Sequence, residues 1–190
     1  MKKILYLIFY IIFYFSYSFV MANEEAPYKV VHATDIYEIR HYSDRFVVQA
    51  SMNVNKNDSS SFRKLFNYIS GANSASQEIK MTVPVTQMKK NNEIFMQFYL
   101  PSKFSKETIP NPSNPDLEIA MIKEGYFAVI KFSGRSSDKN FDKHNKILKQ
   151  KLLDDKISFK GSPIRATYNS PFTLPPFRRN ESMFSIDWKE

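Results

Sequence analysis

Residues 36–50, Ile36-Tyr-Glu-Ile-Arg-His-Tyr-Ser-Asp-Arg-Phe-Val-Val-Gln-Ala50, decide the fold class. Ile36 to Tyr42 alternates apolar and polar side chains, and Phe46 to Ala50 is mostly apolar and β-branched. Ser43-Asp44-Arg45 between them reads as a turn, so a strand pair is expected. Downstream, Asp58 and Ser59 to Ser61 supply N-cap chemistry. Phe62, Leu65, Phe66 and Ile69 follow at i, i+3, i+4 and i+7, a single apolar stripe to lay on a sheet, and Gly71 provides the stop. After a loop and Met81-Thr-Val-Pro-Val-Thr86, the run Ile94 to Leu100 reads as a further strand, ended by Pro101.

The order then repeats. Leu117 to Ile122 and Tyr126 to Phe132 are strand-like and flank a turn containing Gly125. Ser136, Ser137 and Asp138 can cap a helix bearing Phe141, Leu148 and Leu152. Ile164 to Tyr168 leads into Asn169-Ser-Pro-Phe172, and Met183 to Ile186 is the last strand. Laying the halves (about 36–100 and 117–187) together puts Glu38 on Glu118, Phe46 on Phe127, Phe62 on Phe141 and Pro84 on Pro171. Strand, strand, helix, strand, strand occurs twice, which indicates an internal duplication. Two such units can close into a curved sheet or barrel with a cleft between helix and sheet. The Pro-, Ser- and Asn-rich stretch 101–115 between them is expected as a surface loop.

Upstream, Met1-Lys-Lys3 is followed by an uncharged run from Ile4 to Val20 and by Val20-Met-Ala22. This is a signal-peptide pattern with the cut expected after Ala22, and an uncleaved membrane anchor is the rival reading. Residues 23–190 are expected to form one domain, exported to the periplasm or secreted. That chain is long enough to hold together by burial, since there is no cysteine to form disulfides. The missing thiol also excludes Cys-ligated zinc, Fe–S clusters, covalent haem and a cysteine nucleophile. The formal charge of +8 falls to +6 without Lys2 and Lys3. The remaining basic residues are scattered among acids, so neither nucleic acid nor a membrane surface is expected as partner, apart from the signal segment itself.

No Gly-x-Ser-x-Gly, P-loop, dinucleotide glycine pattern or His-Glu-x-x-His is present. No catalytic residue is therefore expected. Of three histidines, His41 shares the strand face of Tyr37 and Ile39. A lone imidazole there suits haem-iron ligation through one ring nitrogen, and suits equally a half-buried strand histidine. His144 is expected to face solvent, and His32 to lie in a poorly ordered start. An amphipathic planar ligand needs an apolar cleft with basic groups at its rim. Arg63 and Lys64 on the first helix, and Arg178 and Arg179 before the last strand, suit contacts to ligand carboxylates, and also suit plain surface exposure.

Several strings together resemble the SOUL haem-binding proteins. They are Tyr37-Glu-Ile-Arg-His-Tyr42, Phe62 to Asn73, Lys80-Met-Thr-Val-Pro-Val85, Phe98-Tyr-Leu-Pro101, the pair Pro110 and Pro112, Phe132-Ser-Gly134, Tyr168-Asn-Ser-Pro171 and Arg178-Arg-Asn-Glu181. They run in one order over about 37–186. The resemblance implies an α+β fold: a distorted antiparallel β-barrel flanked by two helices, with an internal pseudo-twofold. It implies reversible, non-covalent binding of haem or another tetrapyrrole as the small-molecule partner. In some members a histidine directly after Tyr-Glu-Ile-Arg is a suggested iron ligand, which falls on His41. Others hold the porphyrin in an apolar cleft by the first helix, with basic side chains near the propionates; Arg63, Lys64, Leu65 and Phe66 occupy that helix here. The aromatic that commonly follows Arg-Asn-Glu-x is Met183, with Phe184 next. Export also departs from the cytosolic members. A binding module for another amphipathic molecule, or for a protein partner, is the alternative on the same fold.

Overall fold

The computed structural model describes residues 23–53 and 60–189. The leader and the Asp58–Ser59 part of the expected cap lie outside the described residues. In chain order the strands are β1 (Glu24–Glu25), β2 (Tyr28–Ala33), β3 (Glu38–Tyr42) and β4 (Arg45–Asn53); helix α1 (Ser60–Ile69) follows, then β5 (Thr82–Val83), β6 (Val85–Lys90) and β7 (Glu93–Tyr99). The second half is β8 (Leu117–Ile122), β9 (Gly125–Phe132), α2 (Asp138–Asp154), β10 (Phe159–Thr167), a 3-10 turn (Pro175–Phe177) and β11 (Asn180–Ile186).

Nine strands form one antiparallel sheet in the order β2-β3-β9-β11-β10-β6-β7-β4-β8, while β1 and β5 make a short parallel pair. From β3 to β8 this order is symmetric about the β10–β6 contact. β4, β6 and β7 mirror β9, β10 and β11, and the first strand of each half sits beside the second strand of the other. The duplication is therefore present, with its first strands exchanged. This corrects the strand-pair reading: β3 pairs with β2 and β9, and β4 with β7 and β8, so the Ser43–Asp44 turn carries the chain between the halves.

Register also corrects two of the matched positions. Glu118 opposes Gln49, and Glu38 opposes Val129, so Glu38 and Glu118 share a face of the sheet, as the duplication requires. Phe127 opposes Arg40 on that same face, whereas Phe46 points to the other; its true counterpart is Val47. A slip of one residue reverses the face. Pro84 precedes the third strand of its half, while Pro171 follows the third strand of the other.

Both helices pack on one face. Under α1 lie Val48, Ala50, Phe98 and Leu100, and under α2 lie Ile39, Ala128, Phe184 and Ile186. The opposite face is also buried, around Tyr42, Phe127, Val129, Ala166 and Met183, with neither described helix over it. Side chains from distant strands meet there: Arg45, at the start of β4, lies over the rings of Tyr42 and Phe127 on β3 and β9. The sheet is thus curled into a half-barrel whose concave face closes on itself.

Three local expectations change. His32 is an ordered β2 residue whose ring lies 5.4 Å from that of Trp188. His144 is partly buried, stacked on Phe132 at 3.9 Å. Part of 101–115 is packed: Pro101 and Pro110 are buried, and Phe104 and Ile109 sit against the α1 core.

Candidate functional site

Helix α1 buries Ser61, Leu65, Tyr68 and Ile69. Its end is a left-handed cap: Gly71 has φ +110°, Ala72 N donates to Asn67 O (3.0 Å), and Gly71 N donates to Tyr68 O (3.2 Å). Tyr68 reaches under the 101–115 segment, its hydroxyl donating to Pro110 O at 2.9 Å, and burial pushes its phenol up to about 12. The buried face is therefore turned about one residue away from the apolar stripe. Phe62 and Phe66, expected in the core, are 44% and 48% exposed. Their rings are nearly parallel, 11° apart with centroids at 6.3 Å, and Phe62 rests edge-on against Phe98 at 5.2 Å. Arg63 beside them is exposed and has no partner among the described residues. Lys64 pairs with the exposed carboxylate of Asp116 at 2.9 Å. Leu65 is fully buried, so it holds the helix down instead of facing a ligand.

The connection between β10 and β11 is a second apolar surface. Phe172, Leu174 and Phe177 are 94%, 65% and 75% exposed. Arg178 shapes this loop from within, donating through Nε to Thr173 O (2.7 Å) and through Nη2 to Pro171 O (2.5 Å). Arg179 bridges Glu25 (2.8 Å) and Glu181 (2.8 Å), with its guanidinium 3.7 Å from the centre of the Tyr168 ring. Both arginines are spent on the protein, against their expected role at a ligand carboxylate. Register sets where the loop lies. β10 ends at Thr167, which opposes Val85, which opposes Phe98, the ring under Phe62. The loop thus leaves the sheet two strands away from β7, on whose Phe98 the ring of Phe62 rests.

His41 shares the helix-side face with Ile39, as alternation requires, but belongs to the half covered by α2. It is half-buried beside Tyr126, ring centroids 4.9 Å apart, and its imidazole has no hydrogen bond among the described residues. Nothing described brings His41 to the α1 residues. The expected site residues therefore fall into three places: α1, the arginine-stapled loop, and β3.

The concave face carries a charge network that neither charge counting nor motifs revealed. Arg40, fully buried, clasps Glu181 through Nη1 (2.9 Å) and Nη2 (3.2 Å) and donates through Nε to Glu38 (2.7 Å). The Tyr168 hydroxyl donates to the same Glu181 carboxylate at 2.7 Å. Burial pushes the Glu181 carboxyl up, but the Arg40 bonds and charge, Tyr168 and Arg179 outweigh it and hold the group below the usual carboxylate range. Burial, with the Glu181 charge beside it, drives the Tyr168 phenol far above its ordinary value. Every member is paired, so this network suits scaffold more than ligand.

The chemistry available is that of flat apolar contact with cationic edges. A tetrapyrrole fits it as an open-face ligand: it would lie on the exposed phenylalanine rings and bring its own metal. Among the described residues no group of three or more His, Asp or Glu side chains could hold an ion. The cavity walled by Arg45 and Tyr99, about 160 Å³, is smaller than the roughly 300–1,000 Å³ that enclosed ligands of drug size need. The missed residues are Phe62 as an exposed ring, Phe172, Leu174 and Phe177. Phe172 and Phe177 lie in a Pro-punctuated stretch, and aromatic side chains there are the signal that points to them.

A family model described as "SOUL heme-binding protein" matches residues 23–185. Heme-binding protein 2 of Homo sapiens is 32% identical over 170 residues, covering 81% of this chain and 79% of that protein. Its Mus musculus counterpart is 29% identical over 186 residues, covering 90% and 87%. Among solved structures, the EcmrR C-terminal domain superposes with a TM-score of 0.60 at 14% identity, over 84% of this chain and 98% of that one. A hydrolase from Listeria innocua gives 0.59 at 9% identity, over 83% and 94%. Likenesses at such identity speak to fold alone.

Proposed function

The chain belongs to the SOUL heme-binding protein family, and from that premise we propose that it binds haem or a related tetrapyrrole reversibly and without a covalent link. The observation that carries this reading is the pair of parallel, half-exposed rings of Phe62 and Phe66 on α1, next to the unpartnered Arg63. The macrocycle lies against those rings, with the Phe172–Phe177 loop as the second apolar wall. Arg63 and Lys64 stand at the propionates. Each such exposed ion pair contributes about 0.2–1 kcal/mol, so affinity comes mainly from apolar contact. Arg178 and Arg179 serve this site indirectly, by holding the loop and the strand that carry it. His41, with its unengaged imidazole, is the candidate iron ligand, and its place on the other half of the sheet makes this a separate question from binding. No catalytic role is assigned: the chain offers a binding face.

We place the mature protein outside the cytoplasm, in periplasm or medium. The Lys-Lys start, the uncharged run and Val20-Met-Ala22 support this, and the family match begins at residue 23. A mature chain whose mass corresponds to Asn23 as first residue is expected; an intact Met1 start contradicts it.

Hemin titration followed at the Soret band tests the function. Saturation at one equivalent is expected, with Arg63→Ala and Lys64→Ala together weakening binding several-fold. A band altered in His41→Ala assigns the iron ligand, and an unaltered one removes His41 from the site. If hemin binds no better than unrelated flat amphipathic dyes, the face belongs to another amphipathic ligand or a protein partner.

A further inference from the structure

The loop between β10 and β11 is held in shape by its own hydrogen bonds, yet it keeps its apolar side chains in water. Phe172 is almost wholly exposed, and Leu174 and Phe177 are mostly so. Exposed apolar residues scattered singly mean little, whereas three on one fixed loop mark a contact surface. A tetrapyrrole on α1 does not account for all of them, since the loop leaves the sheet two strands away from β7.

Two features say what covers it, and the first is the backbone. Pro171, Pro175 and Pro176 have no N–H to satisfy. Phe172 N donates to Ser170 Oγ (3.3 Å), Thr173 N to Ser170 O (3.0 Å), Phe177 N to Leu174 O (3.0 Å) and Arg178 N to Pro175 O (3.2 Å). The Arg178 side chain occupies the Pro171 and Thr173 carbonyls, and Gly134 N donates to Pro175 O at 2.9 Å. Apart from Leu174, every residue from 171 to 178 thus has its N–H paired or has none. A segment whose polar groups are met internally can leave water at little cost, as a lipid interface demands. The same feature disfavours an extended peptide as partner, which would need a row of open N–H and C=O groups.

The second feature is charge. Arg135 and Arg178 line one open hollow with Pro175, on the flank of the loop. Arg135 is exposed, and its side chain has no partner among the described residues. Carboxylates near the loop are neutralised, Glu25 and Glu181 by Arg179 and Asp138 by Arg165. Apolar tips with a cationic flank suit the boundary between acyl chains and anionic headgroups. The basic residues scattered along the sequence give no reason to expect a lipid surface; the folded loop does. We propose that Phe172, Leu174 and Phe177 enter the headgroup boundary of an anionic lipid bilayer, with Arg135 and Arg178 beside its phosphates. The contact does not rest on tetrapyrrole binding.

Co-sedimentation with vesicles tests it, using the chain from Asn23 onward, which keeps every described element and lacks the apolar leader. Binding to vesicles of phosphatidylcholine and phosphatidylglycerol in equal parts is expected, weaker on phosphatidylcholine alone and weakened by salt. Phe172→Ser with Phe177→Ser should lower it by about tenfold or more at an unchanged thermal midpoint, because both side chains already lie in water. Arg135→Ala should lower it a few-fold, and only on the anionic vesicles. Phe172→Trp should keep binding, and bromine on the acyl chains should quench its added fluorescence. No binding to either vesicle overturns the proposal, as does equal binding by the Phe172→Ser, Phe177→Ser variant. Self-association of the unaltered chain that this variant abolishes, without vesicle binding, hands the loop to a second copy and overturns it too.

Discussion

Glu181 and Arg40 show how one pair of residues sets the behaviour of the concave face. Both are fully buried, and removing either leaves the other with a single, partly exposed counter-charge, Arg179 for Glu181 or Glu38 for Arg40. Arg40→Met is expected to cost about 3–5 kcal/mol in urea unfolding. Arg179→Met should cost less, because Arg179 keeps about a quarter of its side-chain surface in water. The pH dependence follows from the same carboxylate. Its folded pKa lies below the unfolded value of 4.5, so the unfolded state binds more protons in that interval. The stability it contributes is therefore complete above about pH 4.5 and is lost as pH falls through the folded value. Glu181→Gln should flatten the acid limb of a stability–pH curve; an unchanged limb contradicts the role. None of this was legible in the sequence. Alternation placed Glu38 and Arg40 on the polar side of their strand, and polar side normally means water. Here the sheet curls until that side is interior, and alternation says nothing about curvature.

Helix α1 was legible as an element and not as a surface. Its period, its stop at Gly71 and its packing on a sheet all stand. Gly71→Ala should cost about 1 kcal/mol or more, read as a lowered thermal midpoint, because φ +110° is open to glycine and strained for a side chain. What periodicity could not give is which flank of the stripe is covered. Ser61 is small and Tyr68 finds an acceptor for its hydroxyl, so both can be buried, and the helix turns Phe62 and Phe66 outward. Phe66→Ser should consequently leave stability nearly unchanged while weakening hemin by roughly tenfold, the effect of about 1–2 kcal/mol of lost apolar contact. The 168–179 loop left only the trace of aromatic side chains in a Pro-punctuated stretch, since its three exposed apolar side chains carry no period and Arg178 binds carbonyls no pattern foretells.

At the scale of the molecule, the duplication was visible as a repeated order of elements, while the exchange of first strands was not. A turn between two β-like runs reads as a hairpin; only the partners of β3 and β4 show that the chain crosses to the other half. The exchange makes the halves interdependent. A chain ending at residue 116 lacks β8, and the complementary piece lacks β3, so neither is expected to show cooperative unfolding by itself, whereas mixing them should restore it. Independent cooperative folding of either piece contradicts the exchange. The proposed tetrapyrrole face sits on the half of the sheet that α1 covers. The most direct test of that face is hemin titration of the Phe62→Ser, Phe66→Ser double variant beside the unaltered protein, with thermal midpoints measured in parallel. One-to-one saturation is expected for the unaltered protein, with binding weakened at least tenfold in the variant while it remains folded. Equal affinity in the folded variant, or no saturable binding in either, contradicts it.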